Sequence, residues 1–260
     1  MGSFQTEHYT VRLPHSGFET ELPERTAVVS DLHSNLFGPD NRKLMHAVLK
    51  EKPDLVLIPG DLITANGKDN RVAFSFLKEL AANHLKVCIS LGNHEDRLRR
   101  DHPDAYEALR NSVKREGLVL LDNEWFSYSE HVRIGGLTIP FECYNRGTQQ
   151  KKLSEEELGK LLPVEEGTVS IVMAHNPEFF PTYCKSNMNL IVSGHLHGGF
   201  IRLPFLGGLI SPSGRFFPKY DNGIYEKNNT VLAVSRGLGD HVPLFRILNR
   251  PELMILHLQR

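Results

Sequence analysis

Five short runs along the chain are apolar at nearly every position: Thr26 to Ser30 (TAVVS), Leu55 to Pro59 (LVLIP), Val87 to Ser90 (VCIS), Ser170 to Ala174 (SIVMA) and Leu190 to Ser193 (LIVS). A strand wet on one face alternates apolar with polar, whereas a strand covered on both faces reads as a continuous apolar run. These five therefore predict interior strands. Between them the period changes: Leu44, Val48 and Leu49 share one face near residues 40 to 51, and Val72, Phe76, Leu77 and Leu80 share another, as in amphipathic helices. Pro103 opens a third helix, and Ser154 with Glu157 three residues on reads as a capping box for a helix to about Leu162. The charged stretch QQKKLSEEELGK is then a solvated helix start. Strands alternating with helices predict βαβ units and a largely parallel sheet. After residue 197 the pattern lapses into GGFIRLPFLGGLISPSGRFFPKYDNG, a long ordered loop without period, before strands at Val231 to Ser235 and Leu253 to Leu258 close the chain. Neither an internal repeat nor a linker interrupts it. The expectation is one domain over residues 1–260, with residues 1–20 as a peripheral N-terminal extension.

Composition adds exclusions. With 30 Lys and Arg against 31 Asp and Glu, the 260-residue chain has a net charge of −1, so no global field favours nucleic acid. No apolar run approaches the roughly 20 residues of a membrane-spanning helix, and the polar start MGSFQTEHYTVRLPHSG lacks the apolar stretch of a secretory signal. Gly2 and Thr6 match a myristoylation pattern too short to separate from chance. Three widely spaced cysteines, Cys88, Cys143 and Cys184, argue against a disulfide framework and for a reducing, cytoplasmic setting.

The chemistry gathers where the strands end. TAVVS runs into Asp31 and His33, LVLIP into Gly60 and Asp61, VCISL into Gly92, Asn93, His94 and Glu95, SIVMA into His175, and LIVS into Gly194, His195 and His197. In open α/β sheets the loops beyond the carboxyl ends of the strands form the binding crevice, so these residues are expected to converge. A lone Asp after a strand is commonly a helix cap, and a lone His a hydrogen-bonded structural residue. Capping gives no reason, however, for five strand ends to carry such residues together. Asp31, His33, Asp61, Asn93, His175, His195 and His197 offer imidazole, carboxylate and amide donors without sulfur, which suits Mn, Fe, Zn or Ni. Seven ligands exceed what one ion takes. A carboxylate can bridge two ions about 3.5 to 4 Å apart, an arrangement used for hydrolysis at phosphorus.

Asp-x-His, Gly-Asp, Gly-Asn-His-Glu, a single His and Gly-His-x-His, in that order over residues 31 to 197, resemble the calcineurin-like metallophosphoesterase superfamily. The tail from GHLHGG through SRGLG and NRPEL resembles its YkuE/YaeI-like phosphodiesterase subgroup. The implied fold is a four-layer αββα sandwich, two mixed sheets flanked by helices. The resemblance further implies a binuclear centre of divalent transition metals, manganese first among them. Asp31, His33, Asp61 and His197 would hold one ion, and Asp61, Asn93, His175 and His195 the other, with Asp61 bridging. A hydroxide between the ions would attack phosphorus in line, and His94 would assist the leaving group. Where a common family pattern, Gly-Asp-x-x-Asp, places an acid, this chain has Thr64, leaving Glu95 or Asp96 as alternatives to orient His94.

Substrate is less legible. Arg97, Arg99 and Arg100 could reach a second phosphate or form a solvated helix face. Arg202, Arg215 and Lys219 among Phe200, Leu203, Phe205, Leu206, Phe216 and Phe217 suit either a mouth for an amphiphile with an anionic head or a packed lid core. The expected partner is a phosphoester: a soluble phosphodiester, a nucleotide or a lipid-linked head group, the last reached by peripheral membrane contact. The alternative is a non-catalytic metal-binding scaffold of the same fold.

Overall fold

The computed structural model describes residues 3–13, 21–66, 70–145, 147–203, 205–212, 214–239 and 246–260. One six-stranded sheet is ordered β1-β14-β2-β3-β4-β5, from β1 (Gln5–Arg12), β14 (Glu252–Gln259), β2 (Arg25–Val28), β3 (Leu55–Ile58), β4 (Val87–Ser90) and β5 (Val119–Leu121). The other is ordered β12-β13-β9-β8-β7-β6, from β12 (Gly223–Lys227), β13 (Thr230–Val234), β9 (Leu190–Ser193), β8 (Val169–Ala174), β7 (Val132–Leu137) and β6 (Glu124–Ser127). The runs of strands β2 to β5 and of β7, β8, β9 and β13 are parallel, and β1 is parallel to β14, while β14 with β2, β12 with β13 and β6 with β7 pair antiparallel, so both sheets are mixed.

The apolar runs are continuous because each strand is covered twice. On β2 and β3, Val28, Leu55 and Leu57 face the second sheet, meeting Ile134, Ile171, Met173 and Val192. The alternate residues Ala27, Val56 and Ile58 face outward onto helices α1 (Arg42–Glu51), α2 (Arg71–Ala82), α3 (Asn93–Asp101) and α4 (Pro103–Arg115). On the far side Val172, Ile191 and Leu232 pack under α5 (Glu155–Leu161) and α6 (Phe180–Tyr183). Helices, sheet, sheet and helices make four layers, with each fully buried aliphatic side chain contributing about 2 kcal/mol.

Strands β4 and β9 have the bounds that the apolar pattern predicts, and Pro103 opens α4. Local assignments shift where burial overrides period. Leu49 points outward at 36% exposure and Met45 takes its place on α1, while Ala73 rather than Val72 is buried on α2. Ser154 caps α5 by accepting from Glu157 N at 3.1 Å, but the Glu157 carboxylate turns to Lys151, so the capping box is half formed. Residues 5–12, expected as a peripheral extension, form the edge strand β1, in which Thr6 pairs with Leu253; Gly2 lies outside the described residues. The expected long loop contains a small hairpin of β10 (Arg202–Leu203) and β11 (Gly207–Gly208). All three cysteines are free and buried.

Candidate metal centre

The sites that sequence places after five strands meet at one end of the sandwich. Asp31, His33 and His197 form one group, and Asp61, His175 and His195 another, with ligand atoms within 4.8 Å of one another inside each. His33, Asp61 and His94 form a third overlapping group. Asp61 is central: its Oδ2 lies 3.1 Å from His175 Nε2 and 3.8 Å from His33 Nε2, while Oδ1 accepts from His94 N at 2.9 Å. Across the site His197 Nε2 is 3.4 Å from Asp31 Oδ1 and 3.2 Å from His33 Nε2.

Bringing so many donors together strains the backbone. Asp31, His33, Asp61, His195 and His197 all have φ between 47° and 68°. Non-glycine residues held in this left-handed region cost of order 1–3 kcal/mol each, and such strain concentrates at functional sites. Glycines supply the room. Gly60 has φ 97°, which a side chain would resist, and so fits the expected sharp turn off β3. Gly92 and Gly194 lie outside that region and are needed for space instead. A Cβ on Gly92 would overlap the Asp61 carboxylate, and one on Gly194 would overlap Ser30 Oγ and Asp31 Oδ2.

Among the described residues, the buried polar atoms without a hydrogen-bond partner include one on each of two expected ligands, His175 and Asn93. His175 Nδ1 lies 2.7 Å from the Pro59 carbonyl, which can only accept, so Nδ1 carries a proton and Nε2, facing Asp61 at 3.1 Å, is the atom left for either a second proton or a metal ion. Asn93 Oδ1, on the first residue of α3, is equally buried and unpartnered. Buried acceptors are nearly always satisfied. Two unsatisfied ones beside two carboxylates fit a cation.

Electrostatics agree. Burial opposes a charge on His175, yet the Asp61 and Asp31 carboxylates outweigh it and raise the imidazole to about 9. Burial likewise works against the Asp61 carboxylate, but His175, His94 and His33 hold it well below the usual range. Asp31 is pushed up by burial and by the Asp61 charge, against the pull of His175.

The surroundings set aside both carboxylates considered for orienting His94. Neither Glu95 nor Asp96 reaches the His94 ring. Glu95 is buried and accepts from the backbone amides of Asp61 at 2.8 Å, Gly92 at 2.9 Å and Ile63 at 3.1 Å, tying the β3 and β4 loops together. Asp96 pairs with Arg99. Instead the Ala65 amide donates to His94 Nδ1 at 3.1 Å, while Thr64 turns its hydroxyl to Asn66. Of the three arginines on α3, Arg99 is drawn away by Asp122 at 2.8 Å, whereas Arg97 and Arg100 stand 5.7 and 4.6 Å from the Phe141 ring.

Sequence reasoning missed Tyr144, whose ring sits edge-on to His195 at 5.2 Å, because a lone Tyr in an irregular segment carries no pattern. It also missed Arg246, which donates to the carbonyl of Gly239 at 2.5 Å and comes within 3.1 Å of His197 Nδ1.

Residues 24–199 match the family model described as calcineurin-like phosphoesterase. The chain is 29% identical to the metallophosphoesterase YkuE of Bacillus subtilis, covering 98% of this chain and 85% of that protein. It is 25% identical to the phosphodiesterase YaeI of Escherichia coli, covering 92% and 84% respectively. A crystal structure of a dimetal phosphatase from Danio rerio superposes with a TM-score of 0.42 at 12% identity, over 84% of this chain and 88% of the other. Matched through all five strand-end motifs, the chain belongs to the calcineurin-like phosphoesterase family, within its YkuE/YaeI-like subgroup.

Proposed function

We propose that the protein is a dimetal-dependent phosphodiesterase. The observation that carries this reading is the buried meeting of acid, imidazole and amide donors around Asp61, with Asn93 Oδ1 and His175 Nε2 unpartnered. Asp31, His33, Asp61 and His197 hold one ion, and Asp61, Asn93, His175 and His195 the other. Oxygen and nitrogen donors without sulfur favour manganese, with iron, zinc or nickel as substitutes. Bound there, two divalent ions would activate water and neutralise the phosphoryl oxygens.

The chain's own residues do the rest. Because the Ala65 amide donates to His94 Nδ1, the neutral imidazole carries its proton on Nε2. As the bond from phosphorus to the water oxygen forms and the bond to the alcohol oxygen breaks, that proton passes to the departing alkoxide. Glu95 keeps the loops bearing Asp61 and Asn93 in register through its three amide contacts. Preference for a diester is supported by the similarity to the phosphodiesterase YaeI, and Arg100, on the helix that Asn93 opens, offers charge to a second anionic group. The free, buried cysteines support a cytoplasmic setting.

Hydrolysis of bis-p-nitrophenyl phosphate against p-nitrophenyl phosphate, together with elemental analysis, tests the proposal. Two ions per chain and a faster diester reaction are expected. His94→Gln should keep both ions and lose about 10²- to 10⁴-fold in kcat. Two bound ions without turnover of any phosphoester would instead establish the scaffold.

A further inference from the structure

Among the described residues, large apolar side chains that face solvent are concentrated in one place. Of eight exposed ones, six lie in two segments, residues 205–217 and 247–248. Backbone pairing assembles these segments into a flap. Ile201 bridges Ile247, β10 pairs with β11, Ile210 bridges Phe216, and Phe217 N donates to Leu209 O at 2.9 Å. The aromatics are therefore not a lid core. Phe205 is fully exposed beside the hairpin turn, with φ 67°, a conformation that bulky residues rarely adopt. Phe216 and Leu248 are 70% and 73% exposed.

The flap is rooted in the metal centre. Asn249 donates to the carbonyls of His197 at 2.6 Å and Gly199 at 2.5 Å, and Arg215 reaches back to Glu178 at 3.0 Å. Its charge differs from that of the whole chain. Residues 198–222 and 246–250 contain Arg202, Arg215, Lys219, Arg246 and Arg250 against Asp221 alone, a net of +4 in a chain of −1. The one acid is buried and engaged by Arg202 at 2.8 Å. Exposed apolar area of this extent marks an interaction surface. Arg202, Arg215 and Arg246 are turned to Asp221, Glu178 and the carbonyls of Gly237 and Gly239, which leaves Lys219 and Arg250 as exposed cations in the same segments as the apolar tips. That combination matches the interface of an anionic bilayer, where apolar groups sink to the acyl boundary and basic groups meet the phosphates.

We infer that this flap docks the protein on an anionic lipid surface and so presents the rim of the metal centre to phosphoester groups displayed there. The inference deepens the phosphoesterase reading, but its binding step can stand or fall separately.

Sedimentation of the metal-loaded protein with phosphatidylcholine vesicles, with and without 30% phosphatidylglycerol, tests it. Partition onto the anionic vesicles is expected, falling steeply with salt. F205E/L206E and, separately, K219E/R250E should each reduce it about tenfold while bis-p-nitrophenyl phosphate turnover stays unchanged. Vesicle binding without hydrolysis of any phosphoester would overturn the enzymatic reading and leave the docking surface intact. Turnover of the soluble diester without vesicle binding would overturn the docking surface. A lipid-free dimer dissociated by F205E/L206E, with no partition of the wild type, would do the same by showing that the flap covers itself.

Discussion

The metal floor and the flap above it adjoin at His197, yet they are built on opposite terms. In the floor, Asp31, Asp61, His175 and His197 are at most 3% exposed, the five ligand residues other than Asn93 and His175 are held at positive φ, and glycine backbones press against both carboxylates. In the flap, Phe205, Leu206, Phe216 and Leu248 are between 66% and 108% exposed, and the shape is held by short backbone pairings and a few polar side chains, Asn249, Arg202, Arg215 and Asp221, rather than by an apolar core. A site that must collect imidazoles and acids against their mutual desolvation needs many fixed contacts. A surface that meets something outside the molecule gains nothing from filling its own space. Substitutions of similar size should therefore have very different effects on either side of His197.

The largest effect is expected at Gly194. An added methyl group would collide with Ser30 Oγ and the Asp31 carboxylate, neither of which can retreat because Asp31 is fully buried and tied to His195 N at 3.0 Å. Gly194→Ala should cost about 4 kcal/mol of stability and abolish retention of at least one ion, read by urea denaturation and elemental analysis. Gly159→Ala, in open space on α5, is the control and should stabilise by about 0.5–1 kcal/mol. Similar outcomes for the two would break the contrast between a crowded floor and the rest of the chain.

That contrast also governs how much the sequence disclosed. The five strand ends are legible because burial on both faces forces uninterrupted apolar runs, and because a chain leaving such a strand must place its functional residue immediately after it. Asp31, Asp61, His175 and His195 could be found that way. Edge strand β12 could not, since it mixes polar and apolar residues as loops do, and β5, though apolar, is only three residues long, too short to show a period. Tyr144 and Arg246 arrive from irregular segments whose course depends on tertiary packing. What orients His94 stays open in the sequence for a related reason: with Thr64 in place of an acid, the contact comes from the Ala65 backbone amide, and every residue except proline carries such a group. The flap's aromatics were visible in the sequence, but whether they face inward or outward depends on pairings across some 45 residues.

Proton competition should produce the next largest effect. In metal-free protein His175 titrates near 9, above its ordinary value of about 6.5, because the Asp61 and Asp31 carboxylates outweigh the cost of burying its charge. A raised folded-state pKa contributes stability that is complete below the unfolded value and lost as pH rises through the folded one. Chelated protein should thus lose about 3 kcal/mol between pH 6.5 and 9, measured by chemical denaturation. Metal-loaded protein should lose much less, because ions replace the proton as the counter-charge, and metal affinity should rise over the same interval as His175 gives up its proton. An unchanged stability in the chelated protein would mean that Asp61 and His175 do not face each other in solution.

The smallest effect is expected on the flap. Phe216 is 70% exposed, so Phe216→Ser removes little buried area, and the Ile210 to Phe216 bridge is made by backbone atoms that serine also has. Exposed substitutions of this kind fall within about 0.5 kcal/mol of the wild type. Turnover of a soluble diester should be equally unmoved, since the flap's attachment to the metal floor runs through Asn249 and Arg215 and not through the exposed Phe216 ring. A loss of 2 kcal/mol or more would show that the ring is packed in solution and that the flap folds down as a lid with a core of its own. The two sides of His197 would then differ only in which of their contacts are permanent, and the glycine-lined floor would keep its shape with or without the flap above it.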